Sequence, residues 1–255
     1  MRSAATLSAL CAALALAGCA GDDETTTVTV RETVTETATS SVPAEAPAIV
    51  ALYFLQDGKV WPERRGITTD QAIATNTINQ LFEGAESDLT TAIPPETRLG
   101  GLTVDGGVAS IQLEPPLTDR KAMAQVAYTL LQFPTVRRVS FNGGRPLAAR
   151  AFEAQTPAIL VQSPLGGEEV EPGFEATGTA NTFEATFQYE LLDAEGKVLK
   201  KDFVTATSGS GTRGTFSFTV PYEVDAPEQG RLVVFEISAA DGSRTNERAI
   251  PLALR

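Results

Sequence analysis

Apolar and polar residues divide the chain into four parts. An apolar stretch from about Ala4 to Leu16 is followed by a polar segment, rich in Thr and Glu, that reaches Pro47. Residues 48–150 combine apolar runs with helical stripes, whereas residues 157–255 contain only short alternating runs. Because side chains repeat every two residues in a strand and every three to four in a helix, the last two parts are predicted to fold differently.

The strands of residues 48–150 are predicted from apolar runs and turn residues. Residues 49–55 (IVALYFL) form a compact run before Asp57-Gly58, which is typical of a buried strand, and a second strand runs through Val60-Trp61. Residues 99–104 and 108–113 flank Asp105-Gly106-Gly107 and predict a β-hairpin. A last strand is expected at residues 136–141.

Two helices are predicted in the same part. The first begins at a capping box, residues 68–71 (TTDQ), and stops at Gly84; the second is capped by Thr118 and stopped by Pro134. Each has one apolar face, so both are expected on the same face of one small sheet. This is an α+β domain.

Residues 157–255 predict an all-β domain. About seven short strands, separated by turns such as Glu195-Gly196 and Asp241-Gly242, are typical of an immunoglobulin-like β-sandwich. The segment Gly209 to Gly214 satisfies G-x-G-x-x-G, but the residues after it alternate with period two. A dinucleotide site needs a helix there. We therefore interpret the segment as a hairpin loop that displays Arg213 to a partner.

The apolar leader ends in Leu16-Ala17-Gly18-Cys19, the pattern of a lipoprotein signal. Residues 1–18 are then a signal peptide, and Cys19 carries a diacylglyceryl group that anchors the protein to the extracytoplasmic face of the bacterial membrane. An ordinary secretory leader with a chance cysteine and a spanning helix are the alternatives, although a span needs about 20 apolar residues. Residues 19–47 are interpreted as a disordered, Thr-rich tether.

Charge and composition narrow the chemistry. The net charge is −12, and residues 151–255 carry 8 basic against 16 acidic residues, which disfavours nucleic acid as a partner. There is no histidine, which removes Ser-His-Asp catalysis and the usual zinc sites. We predict no catalytic residues, no cofactor and no metal site, although calcium bound by acidic residues stays open.

Several phrases resemble known families. The segments ALYFLQDGKVWPERR and AQVAYTLLQFPTVRRVSFNGGRPL resemble the sporulation and spore germination domain called GerMN. The segments PAILVQSPLGGEEVEPGFEATGTANTFEATFQYELLDAEGKVL and LVVFEISAADGS resemble the immunoglobulin-like domain of bacterial spore germination. The resemblance implies an interaction or assembly module in envelope processes of the sporulation and germination type, with no catalytic residue set.

Candidate binding residues are few. The basic pairs Arg64-Arg65 and Arg137-Arg138 are candidates for a patch that binds anionic wall polymer or an acidic partner, and solvated strand-end charges are the alternative. Asn181 and Glu184 lie in the most family-like phrase of the second domain and are candidates for a binding surface, or else a turn residue and a solvated strand position.

The sequence therefore predicts a lipid-anchored envelope protein that binds a surface protein or cell-wall polymer and is not an enzyme. A solute-binding lipoprotein of a transporter is one alternative, although such proteins use two α/β lobes around a cleft. A wall hydrolase is another, although the spacing of Glu168, Glu169, Glu171 and Glu175 does not place two carboxylates across a substrate.

Overall fold

The computed structural model describes residues 47–68 and 72–255. The predicted signal peptide, Cys19 and almost all of the tether lie outside these residues and stay predictions. The first half contains the following elements in order: β1 (Ala48–Gln56), β2 (Lys59–Ile67), α1 (Ile73–Glu83), β3 (Arg98–Asp105), β4 (Val108–Glu114), α2 (Arg120–Leu131) and β5 (Arg138–Phe141).

Two hairpins have left-handed backbone at their two loop residues, and the second of them was predicted as a hairpin. Gln56 pairs with Lys59, and Asp57 and Gly58 between them have φ values of 52° and 72°. Between β3 and β4, Gly106 and Gly107 have φ values of 55° and 83°. Two positive φ values in a two-residue loop are those of a type I′ turn, which Asp-Gly and Gly-Gly adopt at low cost.

The second helix differs from its prediction by one residue at its start. Asp119, not Thr118, occupies the N-cap, and its Oδ1 accepts hydrogen bonds from the backbone nitrogens of Lys121 (2.6 Å) and Ala122 (3.0 Å). Carboxylate and hydroxyl are both good caps, and the ionised carboxylate also suits the positive end of the helix dipole.

The start of the first helix differs from its prediction too. It begins at Ile73, after Ala72 and without a side-chain cap. Residues 69–71 of the predicted capping box lie outside the described residues. The predicted stop at Gly84 is confirmed, with Gly84 at the C-cap and φ of 98°.

The expectation of one small sheet is wrong. β1 and β2 form one sheet, and β3, β4 and β5 form another, with β5 parallel to β4. Side chains of α2 and its C-cap occupy the second edge of β1. Gln132 bonds both the nitrogen (2.8 Å) and the oxygen (2.7 Å) of Ala51, Gln125 donates to the oxygen of Tyr53 (3.1 Å), and Thr129 Oγ1 accepts from the Tyr53 nitrogen (3.0 Å).

This edge explains why polar residues lie on the buried side of α2. Gln125, Thr129 and Gln132 are spaced by four and three residues and so share one helical face. Gln125 and Thr129 are fully buried, and their polar atoms replace the hydrogen bonds that a neighbouring strand would supply.

The second half is a β-sandwich, as predicted. Its eight strands are β6 (Ile159–Ser163), β7 (Glu168–Val170), β8 (Phe174–Ala180), β9 (Thr186–Leu192), β10 (Val198–Thr205), β11 (Gly214–Val220), β12 (Glu228–Ile237) and β13 (Arg244–Leu254). One sheet has the order β10-β9-β12-β13-β7 and the other β11-β8-β6. Inward residues such as Phe187, Phe216 and Leu232 form the core between the sheets.

The two halves share apolar contacts. A short 3-10 helix, Ala149–Gln155, connects them, and its Phe152 is fully buried in the core of the first half. Leu160 and Leu165, from the start of the sandwich, belong to that same cluster. The described residues consequently belong to one compact unit. Neither helix in the described part of the chain is long and apolar enough to cross a membrane.

Candidate binding cleft

A cleft of about 500 Å³ lies where the first half, the connecting 3-10 helix and the loops of the sandwich meet. The β1–β2 hairpin contributes its turn and the first residues of β2, and the sandwich contributes residues from three loop and strand positions. The lining residues are Gln56, Asp57, Lys59, Trp61, Glu153, Thr156, Pro157, Ala158, Asn181, Arg213, Asn246 and Glu247.

Glu153 is the centre of the hydrogen bonds in this cleft. The Arg213 guanidinium donates from Nε to Glu153 Oε2 (2.9 Å) and from Nη2 to Glu153 Oε1 (3.0 Å), so the ion pair is bidentate. Asn181 Nδ2 donates to the same Oε1 (2.9 Å). Arg213 also donates to the backbone oxygen of Pro157 (2.7 Å). One carboxylate on the connecting helix therefore holds two parts of the sandwich.

The environment of Glu153 favours its charged form. Partial burial raises the pKa of this carboxyl, but the hydrogen bonds from Arg213 and Asn181 and the positive charges of Arg213 and Lys59 outweigh it and leave the pKa below its ordinary value. Lys59 contacts the same connecting helix, because its Nζ donates to the backbone oxygen of Ala154 (2.8 Å).

The glycine-rich loop supports this cluster through its backbone hydrogen bonds. The Gly211 nitrogen donates to Asn181 Oδ1 (2.9 Å), and the Ser210 nitrogen donates to the Thr182 oxygen (2.9 Å). A Cβ added to Gly209 would lie 2.4 Å from the Ala185 nitrogen, too close for any side chain. The loop leads into strand β11, as the alternating sequence predicted, and its glycines permit close packing.

A second set of contacts joins the halves beside the cleft. The Arg248 guanidinium carbon lies 4.5 Å from the centre of the Trp61 ring, and Arg248 donates a hydrogen bond to Gln56 Oε1. Burial lowers the pKa of Arg248, and the negative charge of Asp57 opposes this effect only in part. Gln162 Nε2 donates to the hydroxyl of Tyr53 (3.3 Å), whose pKa burial raises to about 12.

The predicted site residues of the second half separate into two groups. Asn181 and Arg213 meet in the cleft through Glu153. Arg213 is not displayed to solvent, because only 12% of its side chain is exposed and its guanidinium points into the molecule; that prediction is wrong. Glu184 is exposed in a short 3-10 helix, Phe183–Ala185, not on a strand, and its φ is 53°. Its nitrogen donates to Ser210 Oγ (3.0 Å).

The two basic pairs do not form one patch. Arg64 and Arg65 lie on β2 and point to its opposite faces, whereas Arg137 precedes β5 and Arg138 begins it, in a different sheet. Arg64 is exposed, but Arg65 is 7% exposed and paired with Glu63 (2.7 Å), so it is not available as a surface cation. Arg137 is exposed and braces the β3–β4 turn by donating to the Gly106 oxygen (3.1 Å). Arg138 is exposed at the start of β5.

Sequence reasoning missed Glu153, Lys59 and Trp61. Glu153 lies between the predicted domains, in a segment without apolar periodicity, and its partner Arg213 is 60 residues away. The one local signal is that Lys59 and Trp61 follow directly after a tight turn, where exposed side chains concentrate. Among the described residues, no group of three or more His, Cys, Asp or Glu side chains is arranged to hold a metal ion.

The cleft lies between two segments that match different families. Residues 51–146 match the family described as sporulation and spore germination, and residues 158–243 match the immunoglobulin-like domain of bacterial spore germination. Both resemblances seen in the sequence are thereby confirmed. None of the curated proteins compared with the chain is significantly similar to it.

Three solved structures show weak similarity. A protein from Clostridium perfringens, described as a candidate lipoprotein, has a TM-score of 0.28 and 17% identity, covering 43% of this chain and 93% of its own. CopC from Methylosinus trichosporium OB3b has a TM-score of 0.25 and 15% identity, covering 38% and 92%. WR4, a C. elegans MSP family member, has a TM-score of 0.23 and 11% identity, covering 39% and 99%.

These values are too low to support an argument about this chain. The two family matches do support a conclusion about the two halves of the chain. Residues 51–146 are similar to the sporulation and spore germination family, and residues 158–243 are similar to the immunoglobulin-like domain of bacterial spore germination.

Proposed function

We propose that this protein is a lipid-anchored, non-enzymatic binding module of the bacterial cell envelope. Cys19 holds it on the extracytoplasmic face of the membrane, and residues 19–47 serve as the tether. Its partner is a surface protein or a cell-wall polymer in an envelope process of the sporulation and germination type. The two family matches support the envelope context, and the leader sequence supports the anchor.

The observation that carries this proposal is the cleft itself. Residues from both family domains line it, and the bidentate pair between Glu153 and Arg213 holds its walls together. Shared apolar contacts at Phe152 and Leu160 add to that rigidity. A surface preorganised in this way binds at a lower entropic cost than one formed by two freely moving domains.

Proximity crosslinking in the native host tests the proposal. The lipidated protein is compared with Cys19→Ala, which lacks the anchor, and with Arg213→Ala, which removes the central cation of the cleft. Arg255→Ala is the matched control, because Arg255 forms an exposed ion pair with Glu169 away from the cleft residues.

We expect the same partners from the unmodified protein and Arg255→Ala, and their depletion in Cys19→Ala and Arg213→Ala. Partners recovered equally from all four proteins, or from none, would contradict the proposal, since neither the anchor nor the cleft would then direct binding.

A further inference from the structure

The chemistry of the cleft indicates which class of ligand suits it, if the function proposed above is accepted. Its volume of about 500 Å³ is within the range of small-molecule sites, roughly 300–1,000 Å³. Most such sites are lined by apolar side chains. Here nine of the twelve lining residues carry polar side-chain atoms besides the indole of Trp61, so an apolar ligand is disfavoured.

Charge disfavours an anionic ligand as well. The lining has two cations, Lys59 and Arg213, and three carboxylates, those of Asp57, Glu153 and Glu247. Arg213 is already neutralised by Glu153, and Lys59 donates to a backbone oxygen. A phosphate-rich polymer would therefore meet more negative than free positive charge.

The remaining hydrogen-bonding capacity is mixed. Gln56 accepts from Arg248 at its oxygen and keeps its amide hydrogens, whereas Asn246 donates one amide hydrogen to Glu236 and keeps its oxygen. The carboxylate of Asp57 accepts no hydrogen bond from the part of the chain that the structure describes. Donors and acceptors side by side match hydroxyl groups, each of which both donates and accepts.

Trp61 adds an aromatic surface to this polar lining. The ring is partly exposed and lines the cleft, and the Arg248 guanidinium packed over it fixes its orientation. An aromatic ring offers a large apolar surface with a negative face, to which the polarised C–H groups of a sugar ring are complementary.

We propose that this cleft binds a short stretch of an uncharged glycan chain. Trp61 contacts a sugar ring, and Gln56, Asp57, Asn246 and Glu247 bond its hydroxyl groups. This rests on the proposed function and makes it more specific, because it selects polysaccharide over protein as the occupant of the cleft.

The only tryptophan of the chain gives a direct readout. The full-length lipidated protein, in detergent micelles, is titrated with a β-1,4-linked tetramer of N-acetylglucosamine while Trp61 emission is followed. Maltotetraose forms a second arm, which distinguishes an amino-sugar backbone from glycans in general, and polyphosphate forms a third. We expect a saturable change with one or both sugars and none with polyphosphate.

Two truncations locate the binding. Asp57→Gly removes a carboxylate at a positive φ that glycine adopts without strain, and Glu247→Ala removes an exposed one. Each is expected to weaken sugar binding about three- to tenfold, the effect of losing one or two hydrogen bonds. Glu223→Ala, an exposed glutamate outside the cleft lining, should leave binding unchanged.

Three results would overturn the inference: no saturable change up to about 10 mM sugar, binding that neither truncation weakens, or saturable binding of polyphosphate alone. If crosslinking still recovers a protein partner through the anchor and the cleft, the proposed function stands and only the glycan assignment fails.

Discussion

Arg213→Ala removes the central cation between the two family domains and leaves Glu153 without its bidentate partner. The Arg213 side chain is 12% exposed and that of Glu153 is 37% exposed, so the pair is intermediate between a surface and a buried ion pair. Exposed pairs contribute about 0–1 kcal/mol, whereas removing one partner of a buried pair costs about 3–5 kcal/mol. Because Glu153 keeps Asn181 and some water, we expect Arg213→Ala to lower the free energy of unfolding by about 2–3 kcal/mol.

A double-mutant cycle isolates the pair itself. Arg213→Ala, Glu153→Ala and the double variant are unfolded in urea, with Trp61 fluorescence reporting the first half and circular dichroism reporting both halves. We expect a coupling energy of about 1–2 kcal/mol between Arg213 and Glu153. In the variants, the unfolding transition followed by fluorescence should no longer coincide with the one followed by circular dichroism. The cycle for Arg255 and Glu169, both about half exposed, should give less than about 1 kcal/mol.

The pH dependence supplies an independent check on the same cycle. The pKa of Glu153 is lower in the folded protein than its ordinary 4.5, so its contribution to stability is complete above that value and is lost as the pH falls through the folded pKa. The coupling energy should therefore decline below about pH 4.5. A coupling that is near zero at pH 7, or one that does not change between pH 7 and pH 3, would refute the argument that this ion pair joins the domains.

Other contacts predict further outcomes. Gly178→Ala should lower the free energy of unfolding in urea by about 2–4 kcal/mol, because the new Cβ would lie 2.1 Å from the Leu160 oxygen. Gly101→Ala is the control: its Cβ would have no atom within 4 Å, so the free energy of unfolding should change by less than about 1 kcal/mol. Phe187→Ala, at 1% exposure, should cost about 3–5 kcal/mol by the same assay, and Phe203→Ala, at 66%, less than about 1 kcal/mol; equal costs would contradict the assigned core. Burial raises the pKa of Tyr53 from 10.0 to about 12, so the contribution of the neutral Tyr53 to the free energy of unfolding should be lost between these pH values. In a pH titration followed by tyrosinate absorbance, Tyr53 should be the last tyrosine to ionise. Ionisation of Tyr53 near pH 10 in the folded protein would contradict its burial.

Features set by a few neighbouring residues could be predicted from the sequence. Asp57-Gly58 and Gly106-Gly107 favour positive φ wherever they occur, so tight turns at both positions were predictable, although the β3–β4 loop has two residues and not the three predicted. The alternation after Gly214 likewise excluded a dinucleotide site without knowledge of the fold. The absence of histidine restricts the catalytic chemistry in any fold.

Features that depend on distant residues were not predictable. Gln125 and Thr129 are polar residues on a helix, and only the packing of α2 against the edge of β1 makes them substitutes for a strand. Arg65 belonged to a basic pair in the sequence, but the pleat of β2 turned it inward towards Glu63.

The sequence by itself determined most of the helices and strands, the two family resemblances and the kinds of side chain available to a partner, but not β7 or the connecting 3-10 helix. Only the tertiary structure decided that Glu153, Asn181 and Arg213 would meet and that the cleft would lie between the domains. The physical reason is range: turn and strand preferences arise within a few residues, whereas an ion pair across 60 residues exists only after the sandwich and the connecting helix have packed together.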